Sequence, residues 1–389
     1  MKSWRLVLLI VISLCASGPA VPAAAPVALV TVKNALDIAR PSETIVLTAS
    51  AIRQAMPVED LRTVHVADAA SGAEVLAQPV DTNDDGVFDE VVFQTDMGPR
   101  ATRTFTLSVG ERHVFTREQF KAYGRFVRER RDDVAWENDR VAHRMYGKAL
   151  ETWAQEPLTS SSVDVWFKRT RRLVINDWYM VDDYHRDTGE GADMYSAGKS
   201  RGCGGNGIWD AGKLYTSANF IDSRTLANGP IRVMFELTYP AFDAAGARVT
   251  EVKRVTLDAG QNLNRFESRY VATPAGPKTQ AAGIKKHPAA LVVRDKARGL
   301  LRTWEPVKAD GSNFGCGIVV EPAQVAEFAE ADGNVLVVTS VAPDGVATYY
   351  AGSGWDKSGD FKTVDDWDRY LDQAAQRIRS PLAVSLASR

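Results

Sequence analysis

The side chains best equipped for chemistry crowd into one stretch. Between Trp178 and Tyr215 the chain sets Tyr179, Tyr184, Tyr195 and Trp209 among Asp183, His185, Glu190, Asp193, Lys199 and Arg201. Aromatic rings stack on the apolar faces of sugars, while carboxylates, amides and guanidinium groups bond their hydroxyls. The same composition also suits a long surface loop. A second run, WENDRVAHRMYG at 136–147, offers His143 and Tyr146 for proton transfer and Arg144 for anion binding. As a strand it places Asp139, Val141, His143 and Met145 on one face and Arg140, Ala142, Arg144 and Tyr146 on the other. His143 then has a second reading, as an interior imidazole with its bonds satisfied. Lys285, Lys286 and His287 form a basic turn that would attract an acidic sugar or simply face water. Trp355 stands in a Gly/Ser-rich loop, 352–360, suited to a binding platform or an edge cover.

Two phosphate-site patterns fail on context. Gly202, Gly204 and Gly207 have dinucleotide-loop spacing, but Ile208–Gly212 reads as strand and turn where a helix should start. Gly198-Lys199-Ser200 lacks the leading glycine of a phosphate loop, since Asp193 stands there. These glycines instead permit a tight turn, or a close backbone approach to a ligand with Arg201 projecting beside it. Asp81, Asn83, Asp85 and Asp89, around Gly86, follow the alternating oxygens of a calcium loop. Val92 occupies the place of the closing bidentate acid, so the competing reading is an Asx-rich hairpin turn. A structural Ca2+ is the one cofactor suggested, and the chemistry requires none.

The elements that must hold these groups are mostly strands. Ile231, Val233, Phe235, Leu237 and Tyr239 alternate with polar residues, and Phe266, Ser268 and Tyr270 alternate with Arg265, Glu267 and Arg269. Val163–Phe167, Leu173–Ile175, Val335–Val341 and Thr348–Ala351 read as further strands, and no βαβ rhythm is visible. Two helices are expected. One spans 116–130, from a Thr116/Gln119 capping box with Phe115 and Phe120 as a staple. The other follows Thr363 and carries Trp367, Tyr370, Leu371, Ala374, Ala375 and Ile378 on one face. Pro381 stops it, and Leu382, Val384 and Leu386 alternate as a closing strand. The organisation expected is a small N-terminal β unit at 26–115 and a large β domain at 116–389.

The 389 residues carry a net charge of −2, with 45% hydrophobic and 25% charged residues, which excludes a disordered or multi-span chain and disfavours nucleic acid as a partner. Residues 1–25 have the basic start, short apolar middle and small-residue end of a signal peptide, too short to span a bilayer. The expected location is therefore periplasmic or extracellular. Without that segment 45 basic face 49 acidic residues, a charge of −4, and only Cys203 and Cys316 remain. They could join in an oxidising compartment, but two separate, partly buried thiols are the preferred reading. Oligomeric state is left open.

The phrases at 136–147, GEGADMYSAGKSRGCGGNGIWD at 189–210, LANGPIRVMFELTY at 226–239, AGSGWDKSGDF at 351–361 and DTNDDGVFDEVVF at 81–93 together resemble a secreted bacterial family, domain of unknown function 4861, found among polysaccharide-degradation genes. The resemblance implies a mainly β fold, a β-sandwich of the mutarotase-like supersandwich kind. One resembling branch acts on ulvan-type oligosaccharides, removing water from a terminal uronic acid. Such a β-elimination must neutralise the carboxylate, take the C5 proton and protonate the leaving 4-hydroxyl. On chemical grounds Arg201 with Arg144 is the expected carboxylate partner, and His143, His185, Tyr195 and Tyr146 are the acid/base pool. Trp178, Trp209, Lys285, His287 and Trp355 are the expected substrate contacts. Two other readings stand beside this one. A glycoside hydrolase would use paired carboxylates from Glu137, Asp139, Glu190 and Asp193. A non-catalytic carbohydrate-binding protein would use Trp178, Trp209 and Trp355 as its stacking surface.

Overall fold

The computed structural model describes residues 28–181, 183–275 and 278–388, so the signal segment read at 1–25 lies outside the described residues. Two-residue alternation dominates the sequence, and the product is mainly β: five antiparallel sheets, with three α-helices among the described residues. No helix among them is long and apolar enough to cross a membrane.

The N-terminal strands make two small sheets. Strand Ala28–Lys33 buries Ala28, Val30 and Val32 and lies between Thr102–Val109 and the chain's last strand, Ala383–Ser388. A three-stranded sheet of Arg40–Thr48, Glu90–Met97 and Ala77–Val80 shares its core, with Val30, Ile45, Phe93 and Phe105 between them. The closing strand expected after Pro381 is thus present, and it completes the first sheet.

The larger layers are built the same way. A nine-stranded sheet runs through Arg232–Thr238, Ala247–Asp258, Leu263–Thr273, Val346–Trp355, Asn313–Val319 and Leu300–Pro306. Two five-stranded sheets cover its inner face. One contains Asp133–Asn138, Ala142–Met145, Asp164–Lys168 and Gly191–Ala192; the other contains Cys203–Asp210, Thr279–Lys285 and Asn334–Ser340. A bridge from Val163 to Gly202 links these two. Trp136, Phe167, Phe235, Phe266, Ile284, Val337 and Tyr349 fill a single core between the layers, giving a β-sandwich of the supersandwich kind.

Cys203 and Cys316 are disulfide-bonded, not separate thiols. Their strands lie in opposite layers, yet their Cα atoms are 5.5 Å apart, within reach of a bridge. Gly204 allows this approach. Its φ is +115°, and a Cβ there would stand 2.4 Å from that of Ala351. The bridge closes a span of 113 residues through the core.

Two local expectations are corrected. The helix at 116–130 is only a 3-10 turn, Arg117–Gln119, followed by strand Ala122–Val127. The capping bond from the Thr116 amide to Gln119 and the Phe115–Phe120 contact both form. Pairing of 122–127 with Asp133–Asn138 then captures the rest, turning through the left-handed residues Arg131 and Asp132. Leu173–Ile175 is likewise no strand but leads into the short helix Ile175–Tyr179, whose first amides donate to the buried Glu137 carboxylate. The C-terminal helix, Val364–Arg379, is as expected, with Thr363 as cap. It lays Trp367 and Leu371 on the outer face of the nine-stranded sheet, where Gly315 and Gly317 leave room; a Cβ on Gly315 would come 2.7 Å from the Trp367 ring.

Candidate functional site

Adjacent strands Ala142–Met145 and Asp164–Lys168 set Arg144 directly opposite Asp164. Arg144 Nε donates to Asp164 Oδ2 at 2.7 Å, and the Tyr146 hydroxyl donates to the same oxygen at 2.9 Å. Arg144 Nη2 donates to Asp193 Oδ2 at 2.8 Å, and Nη1 to the Tyr184 hydroxyl at 3.2 Å. The run read as one strand at 136–147 is a hairpin, Asp133–Asn138 pairing back on Ala142–Met145, and alternation along the second arm turns Arg144 away from His143.

One guanidinium here serves more carboxyls than it can neutralise. Asp133 is buried in the same region, and burial pushes its carboxyl, like that of Asp193, up to about 8. Nearby like charge on Asp164 acts in the same direction on both. Protons are therefore shared within this group near neutral pH. Asp193 Oδ1 and Asp133 Oδ1 have no protein partner among the described residues.

The rim of this cluster is basic and aromatic. The His185 side chain is 55% exposed, and its Nδ1 bonds the Asp193 carbonyl oxygen at 2.9 Å. Arg130 lies over Trp153 and Tyr184, and Arg131 over Trp153. Trp166 anchors the wall, stacking with Trp178 at 5.6 Å and touching Tyr179 and Tyr184.

Tyr195 extends the cluster towards a second acid. The half-buried Tyr195 ring packs beside Tyr146 and against Phe314, and its hydroxyl is enclosed without a partner among the described residues. It feels the charges of both Asp164 and Glu305, and burial raises its phenol further. Burial also pushes Glu305 up to about 7, against the attraction of Lys285; its Oε2 has no protein partner. Lys285 Nζ in turn donates to the Ser196 carbonyl, one residue past Tyr195. The chain thus lines up Arg144, Asp164, Tyr146, Tyr195, Glu305 and Lys285.

Several expected residues stand elsewhere. His143 is fully buried against Trp136, with Nε2 bonded to Asn264, and burial drives its imidazole down to about 3. The residue is interior as the second reading had it, and so no accessible base, but its bonds are not all satisfied: Nδ1 has no hydrogen-bond partner among the described residues. Arg201 points inward, donating to Ser161 and to the Asn206 carbonyl, and desolvation lowers it to about 10. The glycines beside it admit Ser161, Val163 and Ala351, not a ligand. Arg144 is held by two carboxylates and positions them, so it is not free to grip a sugar acid.

Trp178 is buried on Trp166, and Trp209 packs on Ala281, Leu336 and Val338 with its Nε1 on Glu327. Trp355 is not in a loop but ends its strand inside the core, stacked on Phe167. No common tryptophan platform forms from these three. His287 only caps its own turn, through the Ala289 amide. Of the proposed hydrolytic carboxylates, Glu137 is buried on Lys168, Asp139 accepts from the Gly260 amide, and Glu190 pairs with Arg172 at the surface.

The Asp81 loop is the self-bonded hairpin turn. Asp81 accepts from the amides of Asn83, Asp84 and Gly86, Asn83 from Asp85, Asp85 from Val87, and Asp89 from Thr82. Arg224 and Arg254 donate to the loop carbonyls of Asn83 and Thr82. The carboxylates of Asp81, Asp85 and Asp89 are thereby engaged by the loop's own amides.

A cavity of about 440 Å3 lies away from this chemistry, between the N-terminal sheets, the nine-stranded sheet and the C-terminal helix. Its Arg40 and Arg377 are paired with Glu43, and its Arg232 with Asp258, so its charges are already satisfied.

The family described as "Domain of unknown function (DUF4861)" matches residues 32–384. The chain is a DUF4861 protein. It is 33% identical over 374 residues, 92% of this chain and 93% of the other, to "Uncharacterized protein P7" of Formosa agariphila. Among solved structures the DUF4861 chain is similar to a glycosyl hydrolase family 38 protein from Enterococcus faecalis, with TM-score 0.52 and 11% identity. That match covers 93% of this chain and 47% of the other. It is also similar to an α-mannosidase from Enterococcus faecalis V583, with TM-score 0.50 and 11% identity over 92% and 46%. The DUF4861 chain spans about half the length of these two enzymes, and the likeness is one of fold.

Asp133, Arg130, Trp153, Asp164 and Glu305 of the DUF4861 protein carried no sequence signal for this site. Arg130 fell at the end of the expected helix and Asp164 in an expected strand, while no element was expected at Glu305. Cross-strand register set Asp164 opposite Arg144, and Glu305 opposite Phe314, the ring against which Tyr195 packs.

Proposed function

We propose that this DUF4861 protein is an exported carbohydrate-active enzyme that acts on uronic-acid-ended oligosaccharides by β-elimination. The reading is carried by one observation: the Tyr195 hydroxyl, enclosed and without a partner among the described residues, belongs to a ring that packs with Tyr146 of the Asp164 cluster and against Phe314, the cross-strand neighbour of Glu305. A carboxyl that keeps its proton near neutrality can donate a hydrogen bond to a sugar carboxylate, which stabilises the enolate-like charge that builds as the C5 proton leaves. Lys285, Arg130 and Arg131 supply the positive rim that draws such a substrate in. His185, exposed on the rim, then remains to take the C5 proton, and Tyr195, whose phenol burial keeps protonated, to protonate the departing 4-hydroxyl. Arg144 and Tyr146 act through Asp164, as positioning residues. The disulfide and the signal-like segment support export to an oxidising compartment.

A hydrolase reading has its own support, from the two carboxyls of Asp164 and Asp193 on one guanidinium and from the fold shared with a family 38 glycosyl hydrolase. One assay separates the two. Elimination on a uronate-ended oligosaccharide creates an ultraviolet-absorbing 4,5-unsaturated end and no new reducing end. Hydrolysis creates reducing ends without that absorbance. Absorbance that Tyr195→Phe abolishes supports the elimination site, whereas reducing ends alone overturn it.

A further inference from the structure

We infer that His65, Glu74 and His113 form a zinc site on the edge of the N-terminal sheet, remote from the Arg144–Tyr195 cluster and independent of the activity proposed for it. The three residues come from separate segments: His65 from strand Val64–Asp68, Glu74 from strand Glu74–Val75, and His113 from the segment following strand Thr102–Val109. One ligand atom from each lies within 4.8 Å of the others. Two imidazoles and a carboxylate are a donor set that zinc accepts, with water completing a tetrahedron.

A second observation concerns orientation. His65 Nε2 donates to the Glu111 carbonyl at 2.8 Å, and His113 Nε2 donates to the Val64 carbonyl at 2.8 Å. Each imidazole thus has one nitrogen tied to backbone, leaving Nδ1 as the ligand atom. This is the outer-shell arrangement that fixes the tautomer and aim of metal-bound histidines. The rings are also held laterally. Their centroids are 4.3 Å apart, His113 stacks on Phe115, and Gly110 lies so close to the His65 ring that a Cβ there would come within 2.8 Å. Only the carboxylate is loose. Glu74 is 63% exposed and bonds His65 Nδ1 at 2.7 Å, so a small swing admits an ion in place of the bridging proton. The ion would tie the short edge strand to the segment that leaves the N-terminal sheets.

The test uses the full chain without an affinity tag, freed of metal by chelator. Zinc chloride is titrated by calorimetry, and thermal unfolding is followed with and without it. One equivalent should bind and raise the melting temperature. Glu74→Gln, which keeps shape and loses charge, and His113→Ala should each weaken binding about tenfold or more, while His287→Ala binds as the parent does. Folding of each variant is checked by circular dichroism. Absence of stoichiometric binding, or binding unchanged in both Glu74→Gln and His113→Ala, would overturn the site.

Discussion

Arg144 and Asp164 face one another across neighbouring antiparallel strands, and their 2.7 Å bond is nearly sealed from solvent. The Tyr146 hydroxyl and Asp193 complete the arrangement. Removing the cation leaves two buried carboxyls without their shared guanidinium. Arg144→Ala should therefore cost about 3–5 kcal/mol in urea unfolding. A loss below about 1 kcal/mol would mean that the network carries little of the fold.

Tyr195 behaves differently because its hydroxyl has no partner among the described residues. Tyr195→Phe should leave stability within about 1 kcal/mol of the parent and lower elimination on a uronate-ended oligosaccharide about 100-fold or more. Unchanged turnover in a folded variant removes Tyr195 from the proposed chemistry.

Glu305 predicts a direction for pH. Burial raises its carboxyl in the fold from 4.5 to about 7, so the folded state binds more protons than the unfolded state between those values. Its contribution to stability is fully present below 4.5 and is lost as pH rises through about 7. Glu305→Gln should flatten that part of the stability curve, measured by urea unfolding at several pH values. A slope identical to the parent's would show that other groups set it.

The Cys203–Cys316 bond closes a 113-residue span, so its removal should be felt by the whole fold. A Cys203→Ala/Cys316→Ala double variant should lose about 2–5 kcal/mol, read from chemical unfolding without reductant. Mass spectrometry under non-reducing conditions should find both thiols unavailable to alkylation in the parent.

Much of this molecule was written in alternation. The strand at 231–239, the 363–379 helix with its cap, and the closing strand after Pro381 follow from side-chain period and local capping, which need no distant partner. The 136–147 run is not one strand but a hairpin turning at 139–141, and alternation separates His143 from Arg144 only within its second arm, Ala142–Met145. Which face met the core was not declared, because alternation is symmetric until the layers assemble. Tertiary structure made that choice: Trp136 and Asn264 enclose His143, while Arg144 turns to Asp164 and Asp193. It likewise overrode the capping signal at Thr116, since sheet hydrogen bonds to 133–138 outlast one helical turn. Cys203 and Cys316, 113 residues apart, met because Gly204 let two layers close. Sequence fixes what each strand can offer to its two sides; only the stacking of sheets decides which side becomes interior and which charges must share a proton.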